Sequence, residues 1–303
     1  MSVNIGVDLG GTKILVEALS RDGQTLAKEQ TKTPRHDYHA TLKAIVQLIF
    51  KIERQLQIKA PVGIGMPGSL MPKSKLVQNA NSTWLNGKNI KADMNQLLDR
   101  DVRFANDANC FALSEASDGA GAGAKSLFGV IMGTGVGGGL IVDGKIINGP
   151  YAIGGEWGHC SLPFPSAQEV ETAIPCWCGQ KGCIESWISG PALTKQFNLF
   201  TNQQTEKVQE IIALAKKGNS QAQTVLDQHT NRTARALAMV VNIFDPEIII
   251  LGGGLSQLEH LYEQLPPLMS NFIFSKEPKK VDIHRPKHGA TSGVRGAARL
   301  WPF

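Results

Sequence analysis

The chain has 303 residues, of which 42% are hydrophobic and 6% aromatic, with 32 glycines, five cysteines and a formal charge of +5. That is enough apolar material for a large core or two domains, and the cysteines are too few for a disulfide scaffold. No run of about 18 apolar residues occurs, which argues against a membrane-spanning helix. The opening MSVNIGVDLGG lacks the basic and apolar regions of a secretory leader, so a reducing cytoplasmic setting is expected. Basic residues thicken toward the end (Lys276, Lys279, Lys280, Arg285, Lys287, Arg295, Arg299). Glu277 and Asp282 interrupt them, and the pattern reads as a solvated surface with no nucleic-acid partner.

Asn4 to Leu19 reads as strand, Gly-Gly turn and strand, and Arg21-Asp22-Gly23 turns the chain into a third strand over Gln24 to Thr33. Asp8 lies near a turn made of Gly10, Gly11 and Thr12. Small turn residues let backbone N–H groups approach phosphate oxygens; a hairpin with no ligand is the plainer reading. His36 to Lys59 carries Leu42, Ile45, Val46, Ile49, Phe50 and Leu56 at helical spacing, a core stripe. VGIGMPGSL then gives a strand ending in a Pro67-Gly68 turn. The polar loop after it presents Asn79, Asn81, Trp84 and Asn86, which suit a polyol or ordinary turns equally.

Asn106-Asp107-Ala108-Asn109 follows a short strand and precedes a helical stretch. Asp107 there is either a base for a ligand hydroxyl beside helix N-terminal amides or an N-cap worth about 1 kcal/mol. Phe128 to Lys145 repeats the opening pattern of strand, glycine turn and strand. Gly133, Gly135 and Gly138 match G-x-G-x-x-G, but the following residues are β-branched and turn at Asp143-Gly144, where a dinucleotide site would open a helix. What remains is a duplicated hairpin able to grip one polyphosphate from both sides.

Gly154 to Ser189 holds His159, Cys176, Cys178 and Cys183, a Cys₃His set suited to tetrahedral zinc. A reduced cluster without metal is the plainer reading, and Cys176-x-Cys178 is tighter than zinc-finger spacing. Glu156 and Glu185 flank this loop. Helices are expected over Thr205 to Gln228 and Asn231 to Phe244, stopped by Asp245-Pro246. EIIILGGGLS is a buried strand with glycines at its carboxyl end, and the terminal residues form a loop and a small-residue helix. Strands alternate with helices, so the class is α/β.

DLGGTK, AND, GTGVGGG, GEWGH, CxCGxxGCIE and LGGG occur in this order over nearly the whole chain. Together they resemble the ROK family of sugar kinases; NANSTWLNG, NDANC, PCWCG and SGVRGAARLWP look closest to its bacterial manno(fructo)kinases. The resemblance implies a two-domain ribonuclease-H-like fold of the actin and hexokinase type, with a cleft between the domains. A small domain over 1–116, joined by a C-terminal helix at 290–303, would precede a large domain over 117–289 carrying the zinc loop 154–189. It implies ATP and Mg²⁺, with Gly10, Gly11, Thr12, Lys13, Gly133, Thr134 and Gly135 at the phosphates. Gly252, Gly253 and Gly254 would lie by the nucleoside and Asp8 near the magnesium. Asp107 becomes the catalytic base, and Gly68, Asn81, Asn106, Glu156, His159 and Glu185 meet the sugar. His159, Cys176, Cys178 and Cys183 would hold a structural zinc. D-Fructose is the expected acceptor, with mannose or glucose as lesser substrates and N-acetylglucosamine kinase or glucokinase as the alternative activities. A sugar-responsive repressor of the family is disfavoured, because the first phosphate hairpin begins within ten residues of Met1 and leaves no room for a helix-turn-helix domain. A zinc hydrolase is disfavoured because four protein ligands leave no position for water. A homodimer is a family-based expectation.

Overall fold

Apolar runs of β-branched residues build the first sheet of the computed structural model, which describes residues 2–277 and 281–303. Lys279 and Lys280 of the basic stretch lie outside the described residues. β1 (Val3–Leu9) and β2 (Lys13–Ser20) pair antiparallel across the glycine turn, and β3 (Thr25–Lys32) adds to β2. Most of β1 and β2 is buried, as in a sheet covered on both faces. α1 (Tyr38–Leu56) is capped by Asp37, whose carboxylate accepts from Ala40 N. Its buried stripe is Leu42, Ile45, Leu48, Ile49 and Ile52. Phe50, expected in that stripe, is 41% exposed, because one residue beyond Ile49 turns it about 100° away from the core face. β4 (Val62–Met66), the small ribbon of β5 (Ser69–Leu70) and β6 (Val77–Gln78), α2 (Ile90–Leu98) and β7 (Val102–Asn106) follow. The sheet order is β3-β2-β1-β4-β7, with β1, β4 and β7 parallel. α3 (Asp107–Ser117) leaves directly from β7.

The second sheet contains β8 (Ser126–Met132), β9 (Val136–Val142) and β10 (Lys145–Ile146). The metal-loop region carries α4 (Ala167–Glu171) and ends in α5 (Glu185–Ile188) and α6 (Gly190–Thr201). Next come α7 (Val208–Lys216), α8 (Ser220–Phe244), β11 (Ile248–Gly252), α9 (Glu259–Ser270), β12 (Ile283–His284) and α10 (Ser292–Ala298). Strand order is β10-β9-β8-β11-β12. The break expected near residue 230 is absent: α8 runs through it for 25 residues. The real interruption lies at Gly218, at φ 86°, and Asn219, whose side chain caps α8 on Ala222 N. Asp245 ends α8 in the left-handed region before Pro246.

The chain packs as two compact units. The first holds the chain up to Lys125 with Gly139–Gly155 and Pro286–Phe303; the second holds Ser126–Gly138 and Glu156–Arg285. This division differs from the expected 1–116 and 117–289 at both ends of the segment concerned. The stretch after α3 stays with the first unit, and the boundary then passes through β9 itself. Within the first unit α10 lies directly on the sheet. A Cβ on Gly6 would stand 1.9 Å from Val294 O, and one on Gly63 1.9 Å from Ala297 O, so these two strand positions admit only glycine. No helix among the described residues is long and apolar enough to cross a membrane.

Candidate active site

In the first unit, strand register aligns Asp8 with Gly65 and Gly65 with Ala105. Asp8 and Asp107 therefore emerge at the carboxyl ends of parallel strands, where α/β sheets place ligands. Asn106 is the cap of α3: its Oδ1 accepts the Ala108 N–H at 2.9 Å, and its amide donates to Gly68 O at 3.2 Å. Asp107 is the first helical residue and accepts the same N–H at 2.8 Å. The cap thus falls one residue before Asp107. Burial raises the Asp107 pKa above the ordinary 3.8 against the pull of its N–H bonds. Asp8 is raised to about 6, chiefly by burial and then by repulsion from Asp107, with Lys13 opposing. Two carboxylates that repel each other at a strand edge are suited to proton transfer and cation binding.

The Gly10–Lys13 turn is braced by Gly10 N–H donating to Lys13 O at 3.0 Å and by Thr33, whose hydroxyl donates to Gly10 O at 2.7 Å. Gly11, Thr12 and Lys13 are exposed. A Cβ on Gly11 would stand 3.5 Å from Ser82 Oγ, so the loop carrying the exposed Asn81 runs beside this turn. Thr33 gave no motif signal; its role is visible only once β3 is paired.

In the second unit the Gly133–Gly135 turn closes with Gly133 N–H on Gly135 O at 2.9 Å, and Gly190 N–H donates to Gly133 O at 2.8 Å. β11 runs parallel to β8, placing Gly252 opposite Ile131. A Cβ on Gly133 would lie 3.9 Å from Gly254 N. The fold thereby joins Gly133, Thr134 and Gly135 with Gly252, Gly253 and Gly254 at one strand end. GEWGH forms a short turn, Trp157–His159. Trp157 Nε1 donates to Gly137 O at 2.9 Å, and its ring meets Phe128 edge-on at 5.5 Å. A Cβ on Gly158 would lie 2.1 Å from Val136 O, so glycine is required there. Glu156 and His159 stand at the two ends of this anchored turn.

The ligand atoms of His159, Cys176, Cys178 and Cys183 all lie within 4.8 Å of one another. Cys178 Sγ is 3.6 Å from Cys183 Sγ, and His159 Nδ1 is 3.6 Å from Cys176 Sγ. Tetrahedral bonds of about 2.3 Å to sulfur and 2.0–2.1 Å to nitrogen give edges of about 3.8 and 3.6 Å. The donor set therefore fits a four-coordinate ion, with His159 facing it through Nδ1. Cys160 and Cys110 stand outside the cluster. The loop is tied down by Glu169 on α4, which meets Arg232 and Arg235 of α8, each at 2.7 Å. Arg235 also donates to Pro163 O and Phe164 O.

Glu185 opens α5 with both oxygens engaged. Oε2 accepts Val136 N–H at 2.8 Å and Oε1 accepts Trp177 Nε1–H at 2.7 Å. Sequence reading passed over Trp177, the one aromatic residue between the clustered cysteines, and Lys195 on α6. With Thr134, Glu185 and Ser189, both line a cavity of about 230 Å³.

Comparison with known proteins accords with this geometry. The model of the ROK family matches residues 4–303. The N-acetyl-D-glucosamine kinase of Escherichia coli O1:K1 / APEC is 38% identical over 300 residues, covering 97% of this chain and 98% of that protein. Its Shigella boydii serotype 4 counterpart is 37% identical over the same span, with the same coverage of both chains. Among solved structures, the ROK hexokinase from Thermus thermophilus superposes with a TM-score of 0.86 at 28% identity, covering 98% of this chain and 96% of that one. The ROK glucokinase from Streptomyces griseus, solved with glucose and AMPPNP, gives 0.79 at 26% identity and covers 99% of each chain. Fold and site thus define a sugar kinase. The chain belongs to the ROK family.

Proposed function

We propose that the chain transfers the γ-phosphoryl group of ATP to the primary hydroxyl of a hexose, with N-acetyl-D-glucosamine as the favoured acceptor. This reading departs from the D-fructose expected from short motifs. Full-length similarity to N-acetyl-D-glucosamine kinases carries it, since identity spread over 300 residues weighs more than four local segments.

Asp107 accepts the hydroxyl proton as the sugar oxygen attacks the γ-phosphorus; its raised pKa makes it a better base than an ordinary carboxylate. Asp8 would help hold Mg²⁺, which would supply positive charge at the phosphates; a cation there would favour the ionised form of this buried carboxylate. The N–H groups of the Gly10–Lys13, Gly133–Gly135 and Gly252–Gly254 turns meet the nucleotide. They serve a reaction whose acceleration comes mainly from positioning and charge neutralisation. Gly68, Asn81, Asn106, Glu156, His159 and Glu185 hydrogen-bond the sugar hydroxyls.

The Cys₃His set would hold a zinc ion, whose contribution is to fix the loop. With Nδ1 of His159 turned to the cluster, Nε2 is left for a sugar hydroxyl. Five free cysteines suit a reducing cytoplasm, and a homodimer is the proposed assembly.

ADP release measured over N-acetylglucosamine, glucose, mannose, N-acetylmannosamine and fructose tests the reading. Expected is a kcat/KM for N-acetylglucosamine at least about tenfold above fructose, the scale set by one well-made polar contact. A fructose preference would return the acceptor to the ketohexose, and no turnover with any sugar would remove the kinase assignment.

A further inference from the structure

Trp177 stands between two candidate metal ligands, Cys176 and Cys178, and is 60% exposed. Its contacts are an edge-on approach to His159, with centroids 4.9 Å apart and planes at 89°, and a 2.7 Å hydrogen bond from Nε1 to Glu185 Oε1. The other carboxylate oxygen accepts Val136 N–H at 2.8 Å, immediately after the Gly133–Gly135 turn. A carboxylate has about four acceptor positions. Two donors, one on each oxygen, therefore fix its plane and leave one lone pair on each oxygen, a fork matched to two neighbouring hydroxyls. The Val136 donor is backbone and always present. The Trp177 donor depends on a loop whose conformation the cysteines on either side of it determine.

We propose that Trp177 is a positioning residue for sugar binding: its indole N–H sets the rotation of the Glu185 carboxylate and so links the cysteine loop to acceptor affinity. This rests on the reading of Glu185 as a sugar ligand. It gives the loop a second route to the sugar, independent of His159. The ring has no part in proton or phosphoryl transfer, so its effect falls on the acceptor's KM and leaves kcat nearly untouched.

Trp177→Phe keeps an aromatic ring at the position and deletes only the donor. Native protein, Trp177→Phe, Glu185→Gln and the double variant are compared by steady-state kinetics, by calorimetric titration with the best acceptor from the sugar panel, and by metal analysis. Expected for Trp177→Phe is an acceptor KM and Kd raised about tenfold, as for loss of one hydrogen bond to a charged group. Its kcat and its KM for ATP should stay within about twofold, and its metal content should be native. The double variant should bind sugar no more weakly than Glu185→Gln alone, because the two act through one carboxylate. An unchanged acceptor KM, or fully additive losses in the double variant, overturns the positioning role while native turnover keeps the kinase reading intact. Loss of metal in Trp177→Phe also overturns it, since the ring would then be a structural part of the loop. If the native protein binds no hexose, the reading of Glu185 fails and this inference fails with it.

Discussion

Asp107→Asn separates a catalytic carboxylate from a structural one. Asparagine is nearly isosteric, and its Oδ1 can still accept the Ala108 N–H that Asp107 accepts at 2.8 Å. Because Asn106 already caps α3 on the same N–H, the fold should lose well under 1 kcal/mol. What disappears is proton-accepting capacity. A positioned general base contributes roughly 10²–10⁴ in rate, equivalent to about 3–5 kcal/mol of barrier at about 1.4 kcal/mol per tenfold. ADP production in the presence of sugar would show kcat reduced by that factor, while calorimetry shows acceptor binding within a few-fold of native. The pH profile gives an independent check. Activity requires the unprotonated form, so kcat/KM should fall as pH drops through the Asp107 pKa, which burial places above the ordinary 3.8. The stability sign is opposite: the native state holds the proton more tightly, so this group favours folding at low pH and loses that contribution as pH rises from 3.8 through the raised value. A kcat within about tenfold of native would fall short of any general-base contribution and refute the assignment.

Metal analysis of the purified chain should find about one zinc per chain, and Cys178→Ser should lose both the metal and acceptor affinity. Metal-free native protein that binds and phosphorylates sugar normally would dismiss the bracing role. Glu169→Gln should destabilise the second unit by about 3 kcal/mol, since it leaves Arg232 and Arg235 buried opposite a neutral amide. The Glu169 pKa is lowered from 4.5 to about 2 by the two arginines working against desolvation. Its contribution is therefore full above about 4.5 and lost as pH falls toward 2. The gap in urea midpoint between native and variant should narrow from pH 7 to pH 3 without closing; equal midpoints at pH 7 would contradict the pairing.

Much of the candidate site could be read from residue types because the chemistry proposed for it depends on backbone. DLGGTK, GTG and LGGG announce themselves through glycines, and the cysteine cluster through spacing that packing alone does not require. Asp107 was harder, since a carboxylate at a helix start has an ordinary capping role; the structure gives the cap to Asn106, and the base role of Asp107 remains the proposal made above. Trp177 and Thr33 were invisible because their partners are distant in sequence or read as plain strand and turn. The division of β9 between units was equally hidden, for a β-branched strand looks the same whether or not a unit boundary crosses it. α8 shows the reverse error. Two helices were expected, ending at Gln228 and resuming at Asn231, but His229 and Thr230 between them are buried along one continuous helical face, and packing decides the continuity there.

The tie between α4 and α8 bears on the order in which the second unit assembles. Glu169 finds its arginines 63 and 66 positions further along the chain, so this tie at one end of the cysteine loop needs α8 in place. An excised peptide spanning 154–189 would have the four ligands and none of this support. Small zinc modules use the ion to create their fold; here Arg232 and Arg235 of α8 hold the α4 end of the loop without any ion. Removing a metal bound at the Cys₃His set should therefore release the cysteine tip while α4 stays docked.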